Sequence, residues 1–405
     1  MIKFEFKDYV EPKYKKIGDF SEGLAPVQNQ KHLWGYIDKT GKEVISCRFD
    51  SAECFSEGLA AVKNQEGLWG YIDKMGIPKI PFQFQSASYF REGLAAVQVG
   101  NGYYGYINSS GKCAIYPEFK EAFDFREGFA VVKHPTNYMS HIDLNGHDYG
   151  HYKWVGPFNE GIGLVDDGID IYTVNTEYKK LKKLKLKWNG LGTPNCGMVP
   201  IKQLDTEKKE RYGYLSLDLK LKIPCMYESV RDFCDDVAIV EFDKDVIGFI
   251  TKEGRNTAFS RKFQYQFIYN FSEGLAFVRT PKDLGGLAGY IDKTGKEVIP
   301  CKYWTAGEFH EGLAAVMTPD KEQLYINKKG VKKIKIDNIY TSTLDLGEKV
   351  IYIEATSEKE LNEKKLSVLA QVKESLIKNI TENINDASCE VLDEMYKKPK
   401  TKAKK

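Results

Sequence analysis

The sequence predicts an all-β repeat protein: an array of about nine short three-stranded units followed by one α-helical segment. Two observations carry this reading. The phrase Phe20 to Val27, FSEGLAPV, returns as FSEGLAAV at Phe55 to Val62 and as FREGLAAV at Phe90 to Val97. After Ile353 the phrase and its neighbours stop, and a helical pattern takes over.

Aligned on the glycine of the phrase, the copies fall at Gly23, Gly58, Gly93, Gly128, Gly161, Gly197, a degenerate Asp236, Gly274 and Gly312, about 35 residues apart and looser in the later copies. Each copy holds three pieces. In the first, Leu59 and Ala61 alternate with Ala60 and Val62 after a glycine turn, with the Phe of the phrase available as a packing anchor. The second is WGYID, at Trp34 to Asp38 and Trp69 to Asp73, weakening to YGYIN from Tyr104 and AGYID from Ala288. The third is KEVI, at Lys42 to Ile45 and Lys296 to Ile299. Between the second and third, Asp38-Lys39-Thr40-Gly41 and Asp292-Lys293-Thr294-Gly295 read as hairpin loops with glycine in the left-handed position.

The recurring Glu22, Glu57, Glu92, Glu127, Glu160, Glu273 and Glu311 have the residue type of a catalytic or metal-binding row. A residue used alike in nearly every copy is expected instead to satisfy backbone amides of its own turn. The structural anchors are then Gly23, Gly58, Gly93, Gly128, Gly274 and Gly312, with the pairs Trp34-Gly35 and Trp69-Gly70, the tryptophans buried between neighbouring copies.

These motifs resemble the bacterial WG-repeat (KWG-repeat) family, over about residues 4 to 340, and depart from it around Asn137 to Asn189, where MSHIDLNG and DIYTVNTEY replace the Trp-Gly strand. The resemblance implies a β-repeat body and a binding or scaffolding role. Propeller blades usually have four strands and about 40 to 45 residues. The shorter unit favours an open, curved superhelical array, with a closed propeller-like ring as the alternative. Residues 1 to 19 resemble the back half of a unit, an offset that caps an open array or closes a ring by strand exchange.

The expected domains are 1–353 for the repeats, 354–396 for an amphipathic helix or helix pair, and 397–405 for a disordered basic tail. Ser357-Glu358-Lys359-Glu360 is a capping-box signature. Behind it Leu361, Leu369, Val372, Leu376, Ile380, Ile384, Val391 and Met395 mostly step by three or four, with a break expected near Asp386. Such a stripe caps the last repeats or forms a homo-oligomer.

An apolar fraction of 42% supports a packed body, and no segment approaches the roughly 18 apolar residues of a membrane span. Cys47, Cys225 and Cys301 occupy matching repeat positions and the other five cysteines are scattered, so the thiols read as reduced and the protein as cytoplasmic. Six lysines between Lys179 and Lys187, where Lys183, Lys185 and Lys187 alternate with Leu184, Leu186 and Trp188, form a face that protects a sheet edge or meets an acidic protein surface or nucleic acid. Of the clustered His134, His141, His147 and His151, the stretch from His147 to His151 has ligand-like residue types, but it reads as a loop rather than a helix that would aim both rings together, so these two are weak metal candidates. No phosphate loop, nucleophile elbow or other catalytic motif is present, and no cofactor is implied. The sequence therefore reads as a non-catalytic scaffold for a protein or other macromolecule. Its rival is a ligand-binding or regulatory accessory domain of an enzyme system, with a pocket in the degenerate middle repeats.

Overall fold

A computed structural model describes residues 6–184, 190–192, 194–243, 246–261, 265–345 and 350–395. It is mostly β, in many small antiparallel sheets with one C-terminal helix. Contacts divide it into two units: Tyr14–Ile336, and the described residues up to Lys13 together with those from Asp337 on.

Within Tyr14–Ile336 the described strands form nine sheets, here called blades and numbered by their turns at Gly23, Gly58, Gly93, Gly128, Gly161, Gly197, Asp236, Gly274 and Gly312. Blade 1 comprises Tyr14–Ile17, Leu24–Asn29, Trp34–Asp38 and Glu43–Phe49, each strand paired with the next. Eight blades have four strands, one more than the sequence suggested. In most of them the extra strand is a two-residue piece such as Ser51–Ala52 or Ser86–Ala87, too short to leave a periodic signal.

The repeated phrase is a two-residue hairpin. In blade 1, Ser21 and Leu24 exchange both backbone hydrogen bonds, and Glu22 and Gly23 between them have φ of 52° and 86°. Two consecutive left-handed residues make a type I′ turn, whose twist matches the flanking strands. The Asp-Lys-x-Gly loops also form as expected: Gly41 has φ 85°, and Asp38 Oδ1 accepts from the amides of Thr40 and Lys42.

The Trp-Gly glycine serves a different need. In blades 1, 2, 3, 6 and 8 the fourth strand bulges opposite it, so that Trp34 faces Phe49 but Tyr36 already faces Ile45. A Cβ on Gly35 would lie 2.4 Å from Ile45 O, and one on Gly105 2.6 Å from Ile115 O. Blade 9 has Leu324 at this position, and its ladder runs Gln323↔Ile336, Leu324↔Lys335, Tyr325↔Ile334 with no bulge.

Both faces of each middle strand are covered, because each blade is sandwiched between two others. Ala60 and Val62 pack with Tyr36 and Phe55, whereas Ala61 packs with Tyr71 and Phe90. Nine apolar clusters result, one per interface. The ninth unites Tyr14, Phe20, Val27 and Ile37 of blade 1 with Tyr325, Ile334 and Ile336 of blade 9. The nine blades thus close into a ring, the alternative arrangement rather than the open superhelix. No strand is exchanged to close it: blade 1 holds only strands from Tyr14 onward and blade 9 only strands up to Ile336.

The second unit is a three-stranded sheet, in which Phe6–Pro12 pairs with Asn338–Asp345 and that strand with Val350–Ala355, followed by the helix Glu358–Met395. The domain boundary expected after Ile353 therefore falls inside a strand, since the hydrophobic run continues through Ala355. Ser357 Oγ accepts from the Glu360 amide, while the Glu360 carboxylate reaches back to the Thr356 amide. The helix is continuous through Asp386, and its first turns pack through Leu361 and Val368 on Ile353 and Ala355.

Candidate functional site

Seven of the nine turn-to-turn steps form a belt of carboxylate–amide bonds, interrupted at blade 6, where Cys196 stands in place of the carboxylate. Glu22 accepts a hydrogen bond from Gly58 N (3.0 Å) of the next blade, not from its own turn as expected. The step repeats from Glu57 to Gly93, Glu92 to Gly128, Glu127 to Gly161, Asp235 to Gly274, and Glu273 to Gly312. Glu311 then reaches Gly23, carrying the belt across the seam. A left-handed φ is costly for glutamate, on the order of 1 kcal/mol. It aims the carboxylate along the belt, where charge-assisted bonds to one or two amides offset that cost.

Further inter-blade ties come from the other recurring residues. Tyr36, fully buried, donates to Glu53 O of blade 2 (2.6 Å) and sets its ring against Phe55. The same pair of contacts joins Tyr71 to Ser88 O and Phe90, and Tyr106 to Phe123 O and Phe125. At the seam Tyr325 donates to Gly18 O (2.7 Å) and packs on Phe20. Trp34 and Trp69, expected to be the buried anchors, are only half-buried at the edges of their clusters. The tyrosine two residues on lies on the same face of the strand and occupies the centre of the interface, against the next blade's phenylalanine, while the tryptophan stays at its rim.

Lysines of the Asp-Lys-x-Gly loops brace part of the belt. Lys39 pairs with Glu311, Lys74 with Glu22 and Lys328 with Glu273. Burial, the largest influence, raises the Glu311 carboxyl, but Lys39 and the amides of Gly23 and Glu22 outweigh it and hold the group below its usual range. In blades 3 to 6 this lysine is replaced by Ser109, Leu144, Thr176 and Leu217. The belt there encloses a cavity of about 600 Å³ lined by Glu57, Arg91, Glu92, Asp124, Arg126 and Asp232, with Pro157 and Pro194. Two further clefts lie between first strands: one of about 460 Å³ between blades 3 and 4 beside Tyr89 and Phe123, and one of about 400 Å³ at the seam beside Lys16 and Asp19.

The divergent middle has a packing cause. In most blades the loop glycine sits on the fourth-strand isoleucine of the preceding blade, as Gly76 does on Ile45, Gly146 on Ile115 and Gly41 on Ile334. Blade 4 lacks that strand, which is reduced to isolated bridges from Ile142 to Asp148 and from Met139 to Tyr152. Blade 5 answers with Tyr178 at the glycine position (φ 59°), whose ring packs on Tyr149 (4.5 Å) and near Phe129. His141 replaces the buried tyrosine of blade 4. It donates from Nε2 to Gly156 O (2.7 Å) and accepts from the Tyr178 hydroxyl at Nδ1 (3.0 Å). Burial pushes the His141 imidazole down to about 4, against a weaker opposing effect of the Gly156 carbonyl.

Of the other histidines, His134 contacts Ser140 and Asp148, His147 meets Tyr149 edge-on, and His151 lies against Tyr138. Among the described residues no group of three or more His, Cys, Asp or Glu is placed to hold a metal ion, His147 and His151 included. Lys180–Lys183 is the outer strand of blade 5. Lys183 pairs with Asp170, Lys179 with Glu177, and Lys180 sits over the Tyr172 ring. Lys185, Lys187 and Trp188 lie outside the described residues. Cys47, Cys225 and Cys301 are half-buried against interface clusters, and burial raises the Cys225 thiol to about 11. No helix among the described residues is long and apolar enough to cross a membrane.

The WG containing repeat matches residues 10–31, 34–69, 69–103, 104–134, 212–244, 262–280 and 289–321, just over half of the chain. The chain belongs to the WG-repeat family. No curated protein matches its sequence. Among solved structures it is similar to the crystal structure of the eukaryotic initiation factor, with TM-score 0.50 and 11% identity over 82% of this chain and 95% of that one. BamB from Moraxella catarrhalis aligns with TM-score 0.34 and 9% identity over 75% of this chain and 95% of that one. The WD40 β-propeller domain of Doa1 aligns with TM-score 0.29 and 10% identity over 57% and 90%. At such identities the likeness concerns the fold alone.

Proposed function

We propose that this WG-repeat protein is a non-catalytic scaffold that binds a protein partner through the surface of its ring. The supporting observation is the use made of the repeat's polar groups. The glutamates, serines and tyrosines of the recurring phrases bond to backbone of the next blade, so the recurring residues hold the ring together and the positions that vary between blades are left to face a partner. Open clefts between blades fit recognition of a partner. Lysines of blade 5, Lys179 and Lys183 among them, add positive charge suited to an acidic partner surface, though both already have carboxylate neighbours. The half-buried thiols held protonated by burial fit a reducing, cytoplasmic setting in a bacterium.

The test is affinity purification of the tagged full chain from its native cell, with mass spectrometry of what co-purifies. Reconstitution of the complex from purified components, followed by light scattering, completes it. A stoichiometric complex is expected. Failure of any macromolecule to reconstitute would overturn the scaffold reading.

A further inference from the structure

The belt changes character at blades 3 and 4. In blades 1, 2 and 8 the residue before the belt carboxylate is a serine that ties its turn to the next blade: Ser21 Oγ donates to Phe55 O (2.7 Å), Ser56 to Phe90 O (2.8 Å) and Ser272 to Phe309 O (2.7 Å). In blade 5 Asn159 Nδ2 makes the same tie to Pro194 O (2.7 Å). Blades 3 and 4 have Arg91 and Arg126 there. Both are exposed, and among the described residues neither guanidinium has a hydrogen-bond or ion-pair partner. The same two blades also lose the bracing lysine, replaced by Ser109 and Leu144. Blades 5 and 6 lose that lysine too, so what sets blades 3 and 4 apart is the turn arginine, a positive charge with no carboxylate partner among the described residues. The arginines also forgo the tie to the next blade that the serines make, and departures of that kind from a repeated solution mark sites of use.

Both arginines line the cavity of about 600 Å³, which touches turns from blade 2 to blade 7. A guanidinium fork takes a carboxylate through two parallel hydrogen bonds. The carboxylates of the same wall are not equivalent. Glu57 and Glu92 accept from belt amides, and Asp124 accepts from Ser88, so their oxygens are engaged. Asp232 has no such donor and stands where the wall is otherwise Pro157, Pro194 and Asn195. The lining thus offers a cationic seat on blades 3 and 4 and an anionic one on blade 7, inside a space that suits a few residues of extended chain rather than a folded surface.

We infer that this cavity binds a mixed-charge peptide segment, an acidic side chain seated on Arg91 and Arg126 and a basic one at Asp232. The inference rests on the scaffold reading and names the chemistry of its partner. The probe is a short fluorescein-labelled peptide of alternating glutamate and lysine, compared by anisotropy with length-matched all-glutamate and all-lysine peptides on the full chain. The decisive variant is R91S/R126S, which installs the residue of blades 1, 2 and 8 and so restores the tie between blades; its melting temperature should be unchanged or higher. The alternating peptide is expected to bind at least tenfold tighter than either control and to lose at least tenfold in affinity in R91S/R126S. A smaller loss, equal binding of a single-charge peptide, or no binding of the alternating one would overturn the site. If the variant still captures the natural partner undiminished, the site fails while the scaffold stands. If no partner exists for the wild type, the scaffold itself fails.

Discussion

Blade 3 offers a controlled comparison between two glycines that the repeat uses for opposite reasons. Gly93 has φ 82° and nothing within 4 Å of an added Cβ, so Gly93→Ala meets backbone strain and no steric obstacle. A left-handed alanine costs about 1–2 kcal/mol, of which about 0.4–1 kcal/mol is recovered from the stiffer unfolded chain. The net loss should be about 0–1.6 kcal/mol. Gly105 lies in an extended strand where any residue can adopt the backbone, but its Cβ would sit 2.6 Å from Ile115 O and 2.7 Å from Pro117 N. Those are backbone atoms of the bulged partner strand and cannot rotate away. The bulge must open by several tenths of an ångström, with overpacking costs of about 1–3 kcal/mol and damage to adjoining ladder bonds. Gly105→Ala should therefore lose about 3 kcal/mol. Urea denaturation of both variants gives the ranking, and hydrogen exchange of Tyr104–Asn108 localises it, since repeat arrays can open blade by blade. If Gly93→Ala proves the costlier substitution, the assignment of the Trp-Gly glycine to the bulge is wrong.

Tyr71→Phe should cost about 1–2 kcal/mol by stranding Ser88 O, and Tyr71→Ala should exceed Trp69→Ala, since the tyrosine is fully buried and the tryptophan is not; equal losses in urea melts would contradict the interface described. Tyr178→Gly restores the usual loop residue and relieves a left-handed φ, yet it should lose about 2 kcal/mol, because the ring stands in for the missing strand of blade 4. A stabilised Tyr178→Gly would refute that account. His141 is held neutral, with its value moved from 6.5 down to about 4, so the unfolded chain takes up the extra proton first. Its contribution is complete above pH 6.5 and is lost as pH falls toward 4, by about 3 kcal/mol in all. H141Y, which places the tyrosine of the other blades there, should flatten stability between pH 6.5 and 4; an unchanged slope would assign the acid sensitivity elsewhere.

The number and phase of the repeats were legible because glycine in a type I′ turn has few substitutes, and even the degenerate Asp236 sits at its turn with φ 67°. The Asp-Lys-x-Gly loops were legible for the same reason. The partner of the belt glutamates was not. A short-range reading assigns a turn carboxylate to its own amides, whereas φ near 52° swings it toward a turn about 35 residues away. Trp34 and Tyr36 share one face of their strand and look equally buriable in sequence, and only the packing of the next blade decides that Tyr36 lies at the centre of the interface and Trp34 at its rim. Arg91 and Arg126 were visible all along as substitutions within an aligned repeat. They carried no meaning until Ser21 and Ser56 were seen to tie their turns to the next blade.

Closure of the ring was illegible for a deeper reason: the residues that close it are the residues that make every other interface. Tyr325 meets Gly18 O and Phe20 as Tyr36 meets Glu53 O and Phe55, and Glu311 meets Gly23 as Glu22 meets Gly58. An open array with the same sequence would leave one tyrosine hydroxyl, one belt carboxylate and two half-clusters unpartnered. Closure instead satisfies all of them at the cost of a small fixed rotation at each step. The seam therefore needs no exchanged strand to match its neighbours in kind. What it lacks is chain continuity, and Phe6–Pro12 and Asn338–Asp345 supply a substitute. These segments lead directly into blade 1 and out of blade 9, and they pair from Phe6↔Leu344 to Pro12↔Asn338. Pairing these segments shortens the loop that contact between the first and last blades must close, so that less chain entropy opposes the closing contact.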